Sequence, residues 1–350
     1  MYIIVKVTEQ LQINKFKYFM KILAKDNASL HNEMEIKTEV LSHLEEKVKE
    51  WMEDHVDKRK LWFSSDFLPA DEKMSDDQET NIKQLQDRVR GVKDEVRVAV
   101  ALNLLTEEGL PHFHRLIAKY LGDKSFWSKW NNMWTAEEDR HGAAIRDYVR
   151  DARLFSFREV ELMQFHYIES GFNPDWDKDP YKVFVYTTLQ ERATQVSHKN
   201  TGKLAGEVEP LLNGILSSIA ADEAKHYTFY RNVFKEVLKL DPNKAMLSAA
   251  DIMPAIDMPG ISMPNFRDMA DVVRRIGIYG PRDYKRIVEE AIKFWEIELM
   301  TGLNDVAQKA QEKILSIPKR LEKVAEYIEK RTESKTFNFD FIYNRILVFE

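Results

Sequence analysis

Two copies of a short motif in this sequence could bind metal ions. Glu138 is followed three residues later by His141, and Glu223 is followed three residues later by His226. On an α-helix this spacing puts both side chains on one face, one turn apart. A carboxylate oxygen and an imidazole nitrogen placed in this way can bind one ion, and two such helices that face each other can bind two.

An internal repeat makes the motif informative. In a chain with nine His, chance alone gives about 0.8 Glu-x-x-His pairs, so the pairs by themselves prove little. However, Glu107 stands 31 residues before Glu138, and Glu191 stands 32 residues before Glu223. One Glu from each of two helices and one Glu-x-x-His from each of two more form the dinuclear carboxylate site of ferritin-like bundles. The sequence therefore predicts one metal centre with six ligands, namely Glu107, Glu138, His141, Glu191, Glu223 and His226.

The predicted ligands suit iron or manganese. Four Glu carry four negative charges and two divalent ions carry four positive charges, so the reduced site is neutral and avoids uncompensated buried charge. Two imidazoles complete a mixed nitrogen and oxygen ligand set, which suits these metals better than zinc–thiolate chemistry does. Each His is expected to donate from its second nitrogen to an acceptor, and Asp222, next to Glu223, is the candidate for this role.

A reduced di-iron site of this kind would bind and reduce O2, and full reduction to water needs four electrons. If a C–C unit of an alkane chain supplies two of them by losing two hydrogens, two more must come from outside. The sequence has no Cys and no glycine fingerprint for a redox cofactor, so an external electron donor is expected.

Three further side chains are candidates for a part in the chemistry. Thr194 lies one turn after Glu191, where its hydroxyl could assist proton delivery or could only bond the backbone of its own helix. Trp134, one turn before the first motif, packs either over the site or only in the core. Trp62 either passes electrons inward from the basic residues 58–60 or is a buried anchor.

Composition limits the function classes. The 350-residue chain is 44% hydrophobic and 31% charged, with only 12 Gly and 11 Pro, a balance that favours helix. Its formal net charge of -6 argues against nucleic-acid binding. The absence of Cys excludes disulfides, thiolate metal sites and iron–sulfur ligation within the chain. No apolar run approaches the ~18 residues of a spanning helix, and residues 1–21 lack the features of a secretory signal or a transit peptide, so we expect neither a membrane span nor a leader.

Hydrophobic periodicity predicts an all-α fold. We expect a ferritin-like four-helix bundle that carries the di-iron site, with additional helices around it. The predicted helices cover residues 36–54, 77–121, 124–151, 156–170, 178–202, 205–239, 265–276, 281–300 and 303–331. Residues 337–349 alternate between apolar and polar types and are expected to form a short hairpin or an extended strand. No shift in composition divides the chain, so we predict a single helical domain over residues 36–350 after an extension over residues 1–35.

Pro111 interrupts the helical pattern close to a predicted ligand. It lies four residues after Glu107 and cannot donate to the Glu107 carbonyl. The sequence therefore predicts either a bent turn beside the ligand or a helix boundary.

Longer motifs surround the predicted ligands. They are Thr135-Ala136-Glu137-Glu138-Asp139-Arg140-His141-Gly142, Gln190-Glu191-Arg192-Ala193-Thr194 with His198, and Ala221-Asp222-Glu223-Ala224-Lys225-His226. Further motifs are Trp62 with Asp66-Phe67-Leu68-Pro69, Thr106-Glu107-Glu108 with Leu110-Pro111, Leu240-Asp241-Pro242, and Thr301-Gly302-Leu303. With these motifs the sequence resembles the soluble acyl-[acyl-carrier-protein] desaturases, of the plastidial stearoyl type and its bacterial relatives. The resemblance covers residues 36–349.

The resemblance implies a homodimeric helical protein with two iron ions, in which the six predicted ligands match the family's ligand positions. It implies the insertion of a cis double bond into an acyl chain carried on acyl carrier protein, with O2 and reduced ferredoxin. Trp62, His141 and Asp222 match an electron route proposed in the family. The resemblance also implies a location in the bacterial cytoplasm or, for a mature plant-type protein, in the plastid stroma.

Two positions depart from the family's pattern. Lys119 and Val183 stand where the plant relatives carry smaller residues, and Val183 would narrow an acyl channel that it lined. Acyl carrier protein and ferredoxin are both acidic, so docking to this acidic chain requires local basic patches. The candidate patches, which ordinary solvated Lys and Arg would also explain, are Lys58-Arg59-Lys60, Arg274-Arg275 and Lys285-Arg286.

Other functions stay open at this level. One is a different di-iron oxygenase or oxidase on the same scaffold, with another substrate. Another is a non-catalytic metal-binding or storage protein, or an inactive paralogue. The many helices beyond the four that carry ligands argue against storage, and the six filled ligand positions argue against an inactive paralogue. For the motif alone, solvated surface charge with incidental histidines is the remaining alternative.

Overall fold

The computed structural model describes residues 33–68, 76–121, 124–174, 179–256, 259–331 and 333–350. By contact density the chain divides into one unit that ends at Leu44 and a second unit from Glu45 to Glu350. In the first unit, residues 33–43 are helical and are called α1. Most of the expected extension, residues 1–32, and Pro69 of the quoted motifs lie outside the described residues.

Helices make up most of the second unit. They are α2 (Glu45–Lys58), α3 (Asp76–Val89), α4 (Asp94–Glu107), α5 (Leu110–Leu121), α6 (Phe126–Ala152), α7 (Phe157–Ser170), α8 (Pro180–Ala205), α9 (Pro210–Leu240), α10 (Pro242–Ile252), α11 (Phe266–Arg275), α12 (Pro281–Phe294) and α13 (Asp305–Lys330). Near the C-terminus, β1 (Lys335–Asn338) and β2 (Ile346–Phe349) pair antiparallel, with Phe337 opposite Leu347. The predicted helical fold with a short C-terminal hairpin is confirmed.

Four helices of the second unit carry the predicted ligands. Glu107 is the last residue of α4, and α6, α8 and α9 carry the other five. α4 is apolar around most of its circumference, as is typical of a helix buried in the core. Its residues Val98, Ala99 and Val100 have no exposed surface. α8 and α9 pack along each other, and α4 and α6 contact each other as well as this pair. The bundle core therefore consists of the four helices that the internal repeat identified.

Capping residues fix where two of these helices begin. Asp179 Oδ1 accepts a hydrogen bond from Tyr181 N at 2.9 Å, and Pro180 is the first residue of α8. Glu209 caps α9 in the same way, and Pro210 is its first residue. Proline suits this position because its fixed φ is helical and the N–H that it lacks would have no partner there.

The structure also differs from the predicted helices in detail. The helical pattern over residues 77–121 divides into α3, α4 and α5, and Pro111 lies in the first turn of α5, so the interruption is a helix boundary. α10 was not predicted, although Asp241 caps it and Pro242 is its first residue. Among the described residues, none of the helices combines the length and the hydropathy that crossing a membrane requires.

Candidate metal centre

The six predicted ligands come together in one buried cluster. The cluster contains two groups of four side chains, and within each group the ligand atoms lie within 4.8 Å of one another. One group is Glu107, Glu138, His141 and Glu223, and the other is Glu138, Glu191, Glu223 and His226. Glu138 and Glu223 belong to both groups. The cluster could therefore hold two ions, with these two carboxylates shared between them.

Nδ1 of His141 faces three carboxylates. It lies 3.7 Å from Glu107 Oε2, 3.8 Å from Glu138 Oε2 and 3.6 Å from Glu223 Oε1. Ligand atoms that are about 2.1 Å from one ion, at angles of about 90–120°, are about 3.0–3.6 Å from one another. The observed spacing is therefore close to that of atoms around a shared ion and is too long for direct hydrogen bonds.

Nδ1 of His226 has similar surroundings. It lies 3.6 Å from Glu191 Oε2, 3.6 Å from Glu223 Oε2 and 2.8 Å from Glu138 Oε1. Although the last contact is short, neither of its two atoms has a hydrogen-bond partner among the described residues. The imidazole rings of His141 and His226 are 5.9 Å apart between centroids, so the two nitrogens serve opposite ends of one cluster.

Buried atoms without partners test whether the cluster fits metal ions. Five ligand atoms have no hydrogen-bond partner among the described residues: Glu107 Oε2, Glu138 Oε1, Glu223 Oε2, His141 Nδ1 and His226 Nδ1. Leaving a buried polar atom unsatisfied is costly, so such atoms call for another partner. Carboxylate oxygens with two imidazole nitrogens form a donor set that divalent transition metals accept. The residues present therefore fit a pair of metal ions.

Asp222 lies beside His141, where the role predicted for it requires it to be. Its Oδ2 is 3.5 Å from His141 Nε2, and it accepts hydrogen bonds from Trp62 Nε1 at 2.7 Å and from Arg140 at 2.8 Å. Because an ionised carboxylate only accepts, the imidazole proton belongs on Nε2, which leaves the Nδ1 lone pair for a metal. Burial would raise the pKa of Asp222, but hydrogen bonds from His141 and Lys225 outweigh it and hold that pKa below its ordinary value.

Glu137 has the same relation to His226, and the sequence analysis missed it. Its Oε2 lies 2.8 Å from His226 Nε2 and 3.0 Å from His55 Nε2, and its Oε1 accepts a hydrogen bond from Arg59 at 3.0 Å. Burial would raise the pKa of Glu137, but hydrogen bonds from His226 and His55 lower it. Glu137 directly precedes the first motif as Asp222 precedes the second, so the internal repeat itself contained the signal.

In a third group of side chains near the cluster, the ligand atoms lie close enough to one another to hold an ion. This group consists of His55, Glu137 and His226. Arg59 donates to the same Glu137 carboxylate, and its positive charge disfavours a cation at that point. We therefore assign Glu137 to orienting His226 and not to binding a further metal.

Glu107 and Glu191 each contact one side chain that is not a predicted ligand. His198 Nε2 lies 2.6 Å from Glu107 Oε1, and Trp134 Nε1 donates to Glu191 Oε1 at 3.2 Å. Trp134 therefore contacts the cluster as well as packing in the core. His198 stood in a quoted motif, but its contact with a residue 91 positions earlier could not be read from local spacing.

Opposing effects act on the pKa values of the four carboxyl groups. Burial and the Glu223 charge raise the pKa of Glu138, and burial with both neighbouring carboxylates raises the pKa of Glu191 well above its ordinary value. Burial would raise the pKa of Glu107 and of Glu223 as well, but the adjacent imidazoles hold both below their ordinary values. Carboxylates this close can all ionise only if cations compensate their charge, which agrees with a site for two divalent ions.

Thr194 bonds the backbone of its own helix and also lines a cavity. Its hydroxyl is 3.2 Å from the Gln190 carbonyl oxygen and 3.1 Å from the Glu191 carbonyl oxygen, which is the bond to its own helix. Its side chain also lines a cavity together with the four carboxylates of the cluster. Thr194 is therefore next to any molecule that occupies this cavity.

The basic patches considered for docking are largely engaged in ion pairs. Each patch has at least one cation within 2.9 Å of an acidic side chain on the same helix: Lys58 with Asp54, Arg274 with Asp271, and Arg286 with Asp283. An acidic partner protein would have to compete with these pairs, which weakens the case for any one patch.

Comparison with known proteins places these features in a family context. The family described as fatty acid desaturase has a sequence model that matches residues 36–343. The chain is 36% identical over 306 residues to stearoyl-[acyl-carrier-protein] 9-desaturase 1, chloroplastic, from Oryza sativa subsp. indica, and the match covers 82% of this chain and 80% of that protein. It is 33% identical over 302 residues to stearoyl-[acyl-carrier-protein] 9-desaturase, chloroplastic, from Spinacia oleracea, with 82% and 75% covered.

A solved structure agrees with the fold. The protein DesA2 of Mycobacterium tuberculosis H37Rv, described as a candidate acyl-ACP desaturase, matches with a TM-score of 0.55 over 78% of this chain and 98% of that chain. At 21% sequence identity this likeness supports the helical architecture alone.

Proposed function

The chain belongs to the fatty acid desaturase family, and from that premise we propose that it is an O2-dependent desaturase acting on acyl-[acyl-carrier-protein]. The reaction would remove two hydrogens from a saturated C–C unit of the acyl chain and leave a cis double bond. One observation carries the proposal: six side chains that suit a dinuclear centre converge in one buried cluster. The chain that holds them is 36% identical to a plant enzyme named for this reaction.

Two iron ions are the proposed cofactor. Glu107 and His141 would help to hold one ion, Glu191 and His226 would help to hold the other, and Glu138 and Glu223, which belong to both groups of ligands, would complete the set. When bound, the ions would supply the reduction of O2 and the oxidation of the C–H bonds. The protein's own part is to keep the imidazole protons on Nε2, through Asp222 and Glu137, so that both Nδ1 atoms can act as ligands.

Electrons are proposed to reach the centre through Trp62. The indole N–H of Trp62 donates to Asp222, and the same carboxylate oxygen lies 3.5 Å from His141 Nε2. Trp62 also lines a surface depression together with Lys60, whose positive charge suits an acidic protein donor. We propose reduced ferredoxin as that donor.

Thr194 is the proposed positioning group at the reacting carbons. It lines the cavity in front of the four carboxylates, and its hydroxyl has a fixed acceptor in its own helix. A hydroxyl whose hydrogen is bonded to its own helix can use its oxygen to accept a proton at the edge of the cluster.

The extent and assembly of the enzyme are proposed from the resemblance. The catalytic domain is proposed to span residues 36–350, which the family match over residues 36–343 supports. We propose a homodimer, which light scattering of the purified protein would test.

A reconstitution experiment tests the proposed reaction. Purified protein loaded with ferrous iron would receive ferredoxin, a reductant, O2 and a series of acyl carrier proteins with saturated chains, and mass spectrometry would analyse the chains. We expect a product that has lost two hydrogens. O2 consumption without an unsaturated product from any chain would point to a different di-iron oxidase, and failure to retain iron would point to an inactive paralogue.

A further inference from the structure

The outer side of α13 carries a row of positive charges. Seven residues follow one another at spacings of three or four, so they lie on one side of the helix. They are Lys309, Lys313, Ser316, Arg320, Lys323, Tyr327 and Arg331, and all seven are exposed. Five of them are cations and none is acidic. We call the five cations, Lys309, Lys313, Arg320, Lys323 and Arg331, the basic face.

Two acidic side chains of α13 pair with α12 instead of with the basic face. Arg282 Nε is 2.8 Å from Glu329 Oε1, and Lys285 Nζ is 3.0 Å from Glu322 Oε2. By contrast, no cation of the basic face forms an ion pair within the part of the chain that the structure describes. α13 therefore separates its charges, with these two acids toward α12 and the row of cations toward solvent.

The basic face is unfavourable for the isolated helix. Lys309 and Lys313 are four residues apart, and Arg320 and Lys323 are three apart, spacings at which like charges on a helix repel each other. The face also does not follow from the charge of the whole protein, because the formal net charge of the chain is -6. An anionic partner would relieve the repulsion along this one helix.

We propose that the basic face docks the protein on the surface of a membrane that contains anionic lipids. From Lys309 to Arg331 the row is about 33 Å long, given the rise of an α-helix. A layer of anionic headgroups can contact the whole row at once, whereas a small acidic protein would need its acids along a matching line. Such docking goes beyond the proposed desaturase function and does not rest on it.

Two apolar side chains among the cations suit a lipid surface. Val324 is 46% exposed and Tyr327 is 56% exposed. A tyrosine ring with a polar tip is typical of the headgroup level of a membrane, and the long stems of Lys and Arg let their charges stay at that level while the helix lies on the surface. Docking of this kind needs no helix that crosses the membrane.

Co-sedimentation with lipid vesicles tests the proposal on the purified full-length protein. One set of vesicles contains equal parts of phosphatidylglycerol and phosphatidylcholine, and the other contains phosphatidylcholine alone. We expect wild type to bind the anionic vesicles at low ionic strength, to leave them as salt screens the charges, and not to bind the neutral vesicles. A wild-type protein that does not bind the anionic vesicles at low ionic strength would overturn the inference.

Paired substitutions locate the binding surface. Each Lys or Arg near an anionic membrane contributes about a factor of five to binding, so Lys313→Gln combined with Arg320→Gln should lower the vesicle partition coefficient by about 25-fold. Lys313→Arg combined with Arg320→Lys keeps both charges and should bind as wild type does. The matched control is Lys199→Gln combined with Lys203→Gln on α8, because both lysines are exposed and neither forms an ion pair with a described residue. Circular dichroism establishes that the variants are folded.

The outcomes separate a lipid surface from a protein partner. Unchanged vesicle binding after the paired Gln substitutions at Lys313 and Arg320, or an equal loss in the α8 control, would overturn the inference. The affinity of the same variants for acyl carrier protein is measured in parallel. Lost affinity for acyl carrier protein with unchanged vesicle binding would assign the basic face to a protein partner and overturn the inference as well. The vesicle assay needs neither iron nor turnover, so its result is independent of the proposed reaction.

Discussion

Glu137 Oε2 lies 2.8 Å from His226 Nε2. The contact is buried, and the same carboxylate also contacts His55 and accepts a hydrogen bond from Arg59. At the opposite end of the cluster, Asp222 has the same relation to His141. Each predicted histidine ligand thus has a carboxylate that fixes its proton on Nε2, and the twofold repeat in the sequence extends beyond the ligands to the groups that orient them.

Replacing Glu137 should weaken metal binding. In Glu137→Gln the neutral amide no longer fixes the His226 tautomer, and the loss of such an orienting carboxylate lowers metal affinity by about 10–100-fold. Competition titration against a chelating dye would measure the change. Asp139→Asn, which removes an exposed carboxylate from the same helix, is the control and should bind metal as wild type does. Equal affinity in Glu137→Gln and Asp139→Asn would show that Glu137 does not orient a ligand.

Replacing Trp62 should slow reduction of the metal centre by the protein donor. Trp62→Phe keeps an aromatic ring but loses the hydrogen bond from the indole N–H to Asp222. The proposed electron route from the surface to the cluster is then interrupted, while all six predicted metal ligands remain. Stopped-flow spectroscopy with reduced ferredoxin would measure the rate, and iron content should stay the same. Trp127→Phe, a buried tryptophan that stacks on Phe184, is the matched control. A reduction rate in Trp62→Phe that equals the control would exclude the proposed route.

Replacing Thr194 should uncouple O2 use from product formation. Thr194→Val keeps the shape of the side chain but removes the hydroxyl beside the four carboxylates, so iron binding should persist while the ratio of product to consumed O2 falls. An oxygen electrode combined with product analysis would measure this ratio. Thr228→Val removes an equivalent hydroxyl-to-backbone bond from α9 and should leave the ratio unchanged. If both variants behave alike, Thr194 has only its structural role.

The free energy of unfolding should depend on Asp271 at neutral pH but not in strong acid. Asp271 joins α11 to β1, because it pairs with Arg274 and with Lys335 at 3.3 Å. Partial burial would raise the pKa of Asp271, but the hydrogen bond from Arg274 and the nearby positive charges lower it. A lowered folded-state pKa stabilises the fold above the unfolded-state pKa of about 4, and this stabilisation disappears as the pH falls through the folded-state pKa.

Urea unfolding of wild type and Asp271→Asn at several pH values would measure this effect. We expect the variant to be about 1 kcal/mol less stable at pH 7, the upper range for a partly exposed charge network, and the difference to vanish in acid below the folded-state pKa. A difference that is constant across the pH range would mean that the side chain acts through packing and not through its charge.

Much of the site could be predicted from the sequence because its geometry is local. Glu138 and His141 share one turn of a helix, so their spacing alone puts both on one face, and the repeat then pairs the helices. Pro180 could be recognised as a helix start by its chemistry. The contacts of Glu137 with His55 and of Glu107 with His198 bring together residues 82 and 91 positions apart. Such contacts depend on how whole helices pack, and no periodicity encodes that. The boundary of the predicted domain at residue 36 stays a prediction.

Metal content and metal position together test the central claim most directly. Protein loaded with ferrous iron without O2 should bind two ions per chain, and anomalous diffraction at the iron edge should give two peaks between His141 and His226. Glu191→Ala should lose most of the occupancy of the peak next to His226, whereas the exposed variant Glu289→Ala should keep both peaks. Fewer than two ions in wild type, peaks away from these side chains, or two full peaks in Glu191→Ala would contradict the account.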